Sequence, residues 1–236
     1  MANSPEAILT QKDSSRVEDL FQQQRDLQHR KMDKMFSVLL VVEWVAAILV
    51  AVFISPYSWA GKEKVFDIHL YLAIFMGGGI TLFPVLLAKF KPGWVGTRHV
   101  IAISQMLWSA LFIHLTGGRI ETHFHVFVSL AFLAFYIDWP VLVTATLVVV
   151  ADHLIRGFLY PESVYGIVNP EWWRFLEHAF WVVFEDIVLV WSCVSGSKVM
   201  RDNARRQVEV ETLSESVQLK SAALEMTLQE MRGSKA

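Results

Sequence analysis

Six apolar segments of roughly membrane-spanning length dominate this chain and limit what it can fold into. They lie at about residues 36–58, 66–89, 97–116, 123–139, 140–160 and 174–197. A helix needs ~20 apolar residues to cross the hydrocarbon core of a bilayer. The chain is 19% charged, whereas soluble domains are about 25% charged. The sequence therefore predicts an all-α membrane protein, built as a bundle of six transmembrane helices.

Lysine and arginine are distributed unevenly between the two ends of these segments. The N-terminal tail holds six, the loop between the second and third segments holds three, and the C-terminal tail holds seven. The remaining five of the 21 face the other side. Because positive residues accumulate on the cytoplasmic side of membrane proteins, six spans place both termini in the cytoplasm.

Polar segments flank the apolar region and define the predicted domain boundaries. Residues 1–35 have the pattern of an amphipathic cytoplasmic helix and contain no cleavable signal peptide. Residues 36–197 form the six-helix domain, and residues 198–236 continue as a polar cytoplasmic helix.

A seven-residue repeat in this last segment predicts a parallel dimeric coiled coil that links the membrane domain to an output. The positions that carry it are Asn203, Val210, Leu213, Val217, Leu224 and Met231. Lys220 and Thr227 interrupt the apolar seam, so a single solvated helix is the alternative.

Histidines and carboxylates gather at the outer ends of the predicted helices. The stretch Gly117–His125 places one carboxylate and two imidazoles within five residues. With the predicted topology, four or five helices bring an imidazole to the same outer layer, and only His29 and His99 fall on the cytoplasmic side. Ionisable groups at the edge of a hydrocarbon layer are costly and by default mark function.

These outer groups predict a metal site shared between helices. Neutral imidazoles with carboxylates suit iron, copper or zinc, and the single cysteine, Cys193, supplies no thiolate at that level. The candidate ligands are His69, His114, Glu121, His123, His125, Asp152, His153, Glu177 and His178. Simpler roles compete: His69 and His114 suit the membrane interface, and Asp152 and Arg156 are spaced for an intrahelical ion pair.

Four further residues are placed to support the ligands or to carry a proton: Glu43, Arg156, Glu185 and Asp186. Glu185 and Asp186 lie well inside the sixth segment, and Glu185 shares a helix face with His178. A haem is the alternative cofactor. It would need only one or two axial histidines and would leave the outer carboxylates without a role.

Several stretches together resemble a known sensor region. They are Gly117-Gly-Arg-Ile-Glu-Thr-His-Phe-His-Val-Phe127, Asp138-Trp139, Asp152-His153 with Arg156-Gly157, Pro161 with Ser163-Val-Tyr-Gly166, and Glu177-His178 with Trp181 and Phe184-Glu-Asp186. The resemblance covers roughly residues 65–196. It is to the polytopic N-terminal membrane region of bacterial signalling proteins, chiefly sensor and hybrid histidine kinases of two-component systems, with related diguanylate cyclases and chemoreceptors. It implies the bacterial inner membrane, a sensory role and dimeric output.

The leading interpretation is a multi-pass sensory module in which a metal ion, or a ligand bound to it, biases the sixth helix. The expected partners are the lipid bilayer, a second copy of the chain, and a cytoplasmic output domain or partner kinase. No nucleic acid and no catalytic activity within the chain are expected. No output domain precedes Ala236, so the sequence indicates either part of a longer protein or action through a partner. A histidine-rich membrane di-iron oxidase and a proton or ion transporter are the alternatives.

Overall fold

The computed structural model describes residues 11–53, 57–60, 63–66 and 68–233, and this part of the chain is predominantly helical. The α-helices are α1 (Gln11–Phe53), α2 (Ile68–Tyr71), α3 (Gly77–Phe90), α4 (Val95–Leu115), α5 (Ile120–Leu133), α6 (Trp139–Leu159), α7 (Glu162–Tyr165) and α8 (Arg174–Gly233). A π-helical turn, Leu72–Met76, joins α2 to α3, and a 3-10 turn, Ala134–Tyr136, extends α5. The predicted helical class is confirmed.

Two short strands are the exception to the helical pattern. Strands β1 (Tyr57–Ala60) and β2 (Glu63–Phe66) pair antiparallel, with Tyr57 opposite Phe66. The first predicted span, 36–58, therefore ends earlier than expected, since helix α1 stops at Phe53. Residues 54–56 of that span lie outside the described residues.

Four stretches of the described chain are long and apolar enough to cross a membrane: Asp13–Phe53, Ile68–Phe90, Trp139–Leu159 and Arg174–Gly233. They overlap the predicted first, second, fifth and sixth spans. The third predicted span falls in α4, which has 21 residues but includes Arg98, His99 and Gln105. The fourth falls in the shorter apolar stretch Ile120–Tyr136. A membrane protein is thus supported, and the number six stays a prediction.

Helix α4 is the centre of the bundle and packs against α3, α5, α6 and α7. Trp108 and Leu111 on α4 pack with Leu40 of α1 in one core cluster. The buried residues of α4 also include the polar Gln105 and Ser109. A helix enclosed by protein tolerates such residues because neighbouring helices supply hydrogen-bond partners, which explains why α4 is less apolar than the helices around it.

Glycines bring α3 close to its neighbours. A Cβ atom on Gly77 would lie 2.7 Å from Cη2 of Trp108, and one on Gly78 would lie 3.1 Å from Cζ2 of Trp44. The indole N–H of Trp44 donates to two backbone carbonyls of the π-helical turn, at 3.1 and 3.2 Å. Small residues permit this close approach of helices.

A polar cluster lies at the connection between α5 and α6. The buried carboxylate of Asp33 on α1 accepts from the Tyr136 hydroxyl at 2.7 Å and from the Gly93 backbone N–H at 2.6 Å. Arg98 of α4 pairs with Asp138. The cluster therefore joins α1, the turn before α4, and the connection between α5 and α6.

The chain divides into two compact units by its internal contacts. One comprises residues 26–197, and the other combines residues 1–25 with 198–236. Helix α1 runs without interruption across the predicted boundary at residue 35, because no glycine or proline occurs within it.

The second unit pairs the start of α1 with the C-terminal part of α8. Arg16 and Glu211 form an ion pair at 2.8 Å, as do Arg201 and Glu18. From Arg16 to Glu18 the residue numbers rise along α1, while their ion-pair partners on α8 fall from Glu211 to Arg201. The two segments are therefore antiparallel. The Arg201 guanidinium carbon lies 4.4 Å from the ring centroid of Phe21, and Phe21 is buried.

Candidate functional site

Glycine turns at one end of the bundle set the start of α5. Gly117 and Gly118 have φ angles of 70° and 74°, in the left-handed region that favours glycine. Gly166, which ends α7, has φ 68°. A Cβ atom on Gly118 would lie only 2.3 Å from the backbone nitrogen of Gly166. These backbones touch, and their contact positions the first turns of α5, where His123 lies.

Gly118→Ala is expected to destabilise the protein by about 3 kcal/mol, because it adds a clash with fixed backbone to left-handed strain. Gly117→Ala is the matched control. Gly117 has the same backbone conformation but open space around its Cβ position, so we expect a loss of about 1–2 kcal/mol. Reversible denaturation of the purified protein measures both. Equal losses would contradict a structural role for the contact between Gly118 and Gly166.

Three histidines from three helices meet beneath this turn. His123 of α5 and His178 of α8 have ring centroids 5.3 Å apart, and His153 of α6 lies 5.7 Å from His123 and 5.9 Å from His178. His123 and His153 are both buried. We call these three residues the histidine centre.

All three rings are held in the same way by their own helices. In each case Nδ1 donates to the backbone carbonyl four residues earlier. The distances are 3.0 Å from His123 to Arg119 O, 3.2 Å from His153 to Val149 O and 3.1 Å from His178 to Arg174 O. A carbonyl only accepts, so Nδ1 carries a proton, and in the neutral ring Nε2 carries a lone pair. Nε2 of His123 is buried and has no hydrogen-bond partner among the described residues.

An apolar cavity of about 40 Å³ adjoins the histidine centre. Besides the three imidazoles, Phe127, Val149 and Val182 line it. Apolar walls keep a site dry and strengthen the interactions of the polar groups within it. The arrangement offers imidazole lone pairs in a water-poor space, which suits a cation or a hydrogen-bond donor.

His125 takes part in a separate buried network. Its Nε2 lies 3.4 Å from Oε1 of Glu43 on α1, and its Nδ1 lies 2.8 Å from Oγ of Ser109. Gln105 donates to the other Glu43 oxygen at 3.0 Å. The sequence predicted His125 as a ligand beside His123, but the structure directs it toward α1 and α4.

His69, His114, Asp152 and Arg156 form a third group near α7. The rings of His69 and His114 are 5.1 Å apart, and Nδ1 of His114 lies 2.8 Å from Oγ of Ser163. Arg156 binds Asp152 through two hydrogen bonds of 2.6 Å and also donates to Ser163. The intrahelical ion pair considered for Asp152 and Arg156 is present. Asp152 also approaches His153, with Oδ2 3.3 Å from Nδ1.

The other predicted carboxylates are not part of the histidine centre. Glu121 is exposed, and Glu177 lines a groove beside the centre. Deeper in α8, Asp186 accepts from the Thr146 hydroxyl, while Oε2 of Glu185 is buried without a partner in the described chain. Within the described residues, no three His, Cys, Asp or Glu side chains are grouped as ligands of one metal ion.

Tyr165 is a neighbour of the centre that the predicted ligand set omits. Its ring centroid lies 5.5 Å from that of His178, in an edge-to-face arrangement. Burial raises the pKa of the Tyr165 phenol, so the hydroxyl stays protonated at neutral pH. Its only sequence signal is its place between Ser163 and Gly166, in a stretch noted for the resemblance.

Comparisons with known proteins give one informative similarity. The chain is similar to the transducer protein Htr8 of Halobacterium salinarum (strain ATCC 29341 / DSM 671 / R1), with 33% identity over 89 residues. The match covers 36% of this chain and 14% of the transducer, so the chain spans a small part of that protein's length. No protein-family model and no solved structure match the chain. The similarity supports a distant relation to signal-transduction proteins.

Proposed function

We propose that this chain is a sensory membrane module that binds a ligand at the histidine centre and passes the signal along α8. The observation that carries the proposal is the convergence of three imidazoles from α5, α6 and α8, each held through Nδ1 by its own helix. Helix α8 contains His178 and continues to Gly233. The similarity to a transducer supports a signalling role.

The ligand we propose is a metal ion, either iron, copper or zinc. Imidazoles that share a tetrahedral zinc ion at ~2.1 Å per bond place their ring centroids roughly 5 Å apart. The ring centroids of the histidine centre are 5.3 to 5.9 Å apart, so binding of one ion by all three would require the rings to rotate closer together. The bonds from Nδ1 to backbone carbonyls are the kind that orient metal-binding histidines.

We further propose six membrane crossings in a bacterial inner membrane, with both termini in the cytoplasm. The uneven distribution of lysine and arginine supports this orientation. In this arrangement α4 and α5 also cross the bilayer, with the polar residues of α4 enclosed by neighbouring helices. A ligand that binds α5, α6 and α8 together then changes the balance between two positions of α8.

A parallel homodimer through the C-terminal part of α8 is the output arrangement we propose. Ala204 and Val208 are buried against the start of α1 in their unit. Val210 lies two residues after Val208 and roughly 200° from it around the helix. Val217 lies roughly 180° from Val208. Both are exposed, as are Leu213, Leu224 and Met231 of the same repeat. Val210, Leu213, Val217 and Leu224 therefore face away from α1, toward the side on which we propose that the second copy binds.

A cysteine at Val210 is expected to form a disulfide with its twin in membranes, in a Cys193→Ser background. Val210 is 66% exposed on the seam, whereas Val208 is 0% exposed against α1. Val208→Cys is therefore the matched control and should form no intermolecular disulfide under the same mild oxidation. Gel electrophoresis without reductant measures the result. Similar cross-linking at both positions, or none at Val210, would contradict this seam.

Metal analysis and an absorption spectrum of the purified protein test the proposed ligand directly. About one equivalent of iron, copper or zinc per chain would support the metal centre. A Soret band would replace it with haem. Protein that contains neither and takes up none of the three metals would overturn the proposal and leave the three histidines as packing residues.

A further inference from the structure

A groove of about 490 Å³ lies beside the histidine centre. We call it the α5–α8 groove. Its apolar walls come from Ile120, Phe124 and Phe127 of α5 and from Trp181 of α8. The volume is within the range of roughly 300–1,000 Å³ that small-molecule sites occupy. Aromatic walls of this kind bind planar rings by stacking and edge-to-face contacts.

The polar groups of the groove are imidazoles of the histidine centre. His123 and His178 line both the groove and the small inner cavity, and Glu177 also lines the groove. His123 is 5% exposed, and its Nε2 has no partner within the described residues. Since Nδ1 already donates to the backbone, Nε2 accepts. The complementary organic group is therefore a hydroxyl that donates a hydrogen bond.

The approach to the groove is apolar. Phe124 is 63% exposed and Trp181 is 57% exposed, and in the proposed topology both face the acyl chains near the outer interface. An aromatic molecule dissolved in the bilayer reaches such a groove by lateral diffusion. A purely apolar molecule would leave the buried Nε2 of His123 unpaired, which carries a cost that a hydroxyl removes.

We propose that the α5–α8 groove binds a membrane-soluble aromatic alcohol, with the ring between Phe124 and Trp181 and the hydroxyl at His123. The inference deepens the proposed sensory function by naming a chemical class for the signal. In metal-free protein the hydroxyl donates to Nε2 of His123. If the three imidazoles held a metal through Nε2, that ion would supply a Lewis acid for the hydroxyl oxygen in place of Nε2.

The test measures binding of 2-naphthol and naphthalene to the full chain in phosphatidylcholine nanodiscs, with empty nanodiscs subtracted. Metal-free protein should bind one 2-naphthol per chain at least tenfold more tightly than naphthalene. Trp181→Ala should weaken 2-naphthol binding at least fivefold, and His123→Ala should abolish the preference for 2-naphthol. Trp191→Ala is the matched control because Trp191 is an exposed tryptophan of the same helix that does not line the groove; it should change nothing.

Two results would overturn the inference: binding no greater than to empty nanodiscs, or equal affinity for 2-naphthol and naphthalene. Metal content is measured separately on the same variants. Trp181→Ala should retain the metal of the unmodified protein, since its side chain supplies no ligand. Loss of naphthol binding with intact metal content would thus reflect the groove, whereas an absent metal would count against the proposed centre alone.

Discussion

Alanine substitution at His123, His153 or His178 is expected to remove most of the bound metal from the purified protein. Each substitution deletes one of three converging imidazoles, which come from different helices. Loss of a residue that only supports a ligand typically costs about 10–100-fold in metal affinity, and loss of a ligand itself costs more. Elemental analysis after dialysis against a weak chelator measures the retained metal.

His125→Ala and His99→Ala are the controls for this prediction. His125 is two residues from His123 but contacts Glu43 and Ser109, and His99 contacts Thr144. Both variants should retain the metal of the unmodified protein. A loss at His125 equal to that at His123 would restore the larger ligand set predicted from the sequence. Unchanged metal content in all three centre variants would remove the centre as the binding site.

Asp33→Ala is expected to destabilise the unit of residues 26–197 by about 3 kcal/mol or more. Asp33 is 1% exposed, and its carboxylate accepts from both Tyr136 and Gly93. Hydrogen bonds to a charged group contribute about 1.5–3 kcal/mol each, and their loss leaves two buried donors unpaired. For a unit of this size, 3 kcal/mol corresponds to a fall in Tm of roughly 6–12 °C. Thermal unfolding followed by circular dichroism measures it.

Asp26→Ala provides the comparison for Asp33, since it removes the same side chain two turns earlier on α1. Asp26 pairs with Arg30 at 2.7 Å, with both side chains about half exposed. Exposed ion pairs contribute about 0–1 kcal/mol, so this variant should unfold close to the temperature of the unmodified protein. If Asp33→Ala were equally mild, the polar cluster between α1 and the α5–α6 connection would have no structural importance.

Helix boundaries followed from local chemistry and were largely predictable. Residues 139–159 begin with Trp139-Pro140, where proline suits the first turn of a helix, and α6 starts at Trp139. The third and sixth predicted spans begin within two residues of α4 and α8. The hairpin β1–β2 was missed because the preceding apolar run gives no signal for where the first span ends.

Convergence of side chains was only partly predictable. Depth in the membrane is predicted by counting residues along a helix, and this count places His123, His125, His153 and His178 at one level. The direction of each side chain depends on how its helix is rotated within the bundle. His123 and His125 differ by roughly 200° around α5, so α5 presents one to α6 and α8 and the other to α1 and α4.

The sequence by itself determined the helical membrane class, the lengths of most helices, the charge asymmetry and the residue types available for binding. These depend on hydrophobicity and on neighbours along the chain. The tertiary structure alone decided which groups meet. It gathered three imidazoles from α5, α6 and α8, paired His125 with Glu43, and placed Asp33 beside Tyr136. Such contacts depend on helix rotation and packing between distant segments, which local patterns do not specify.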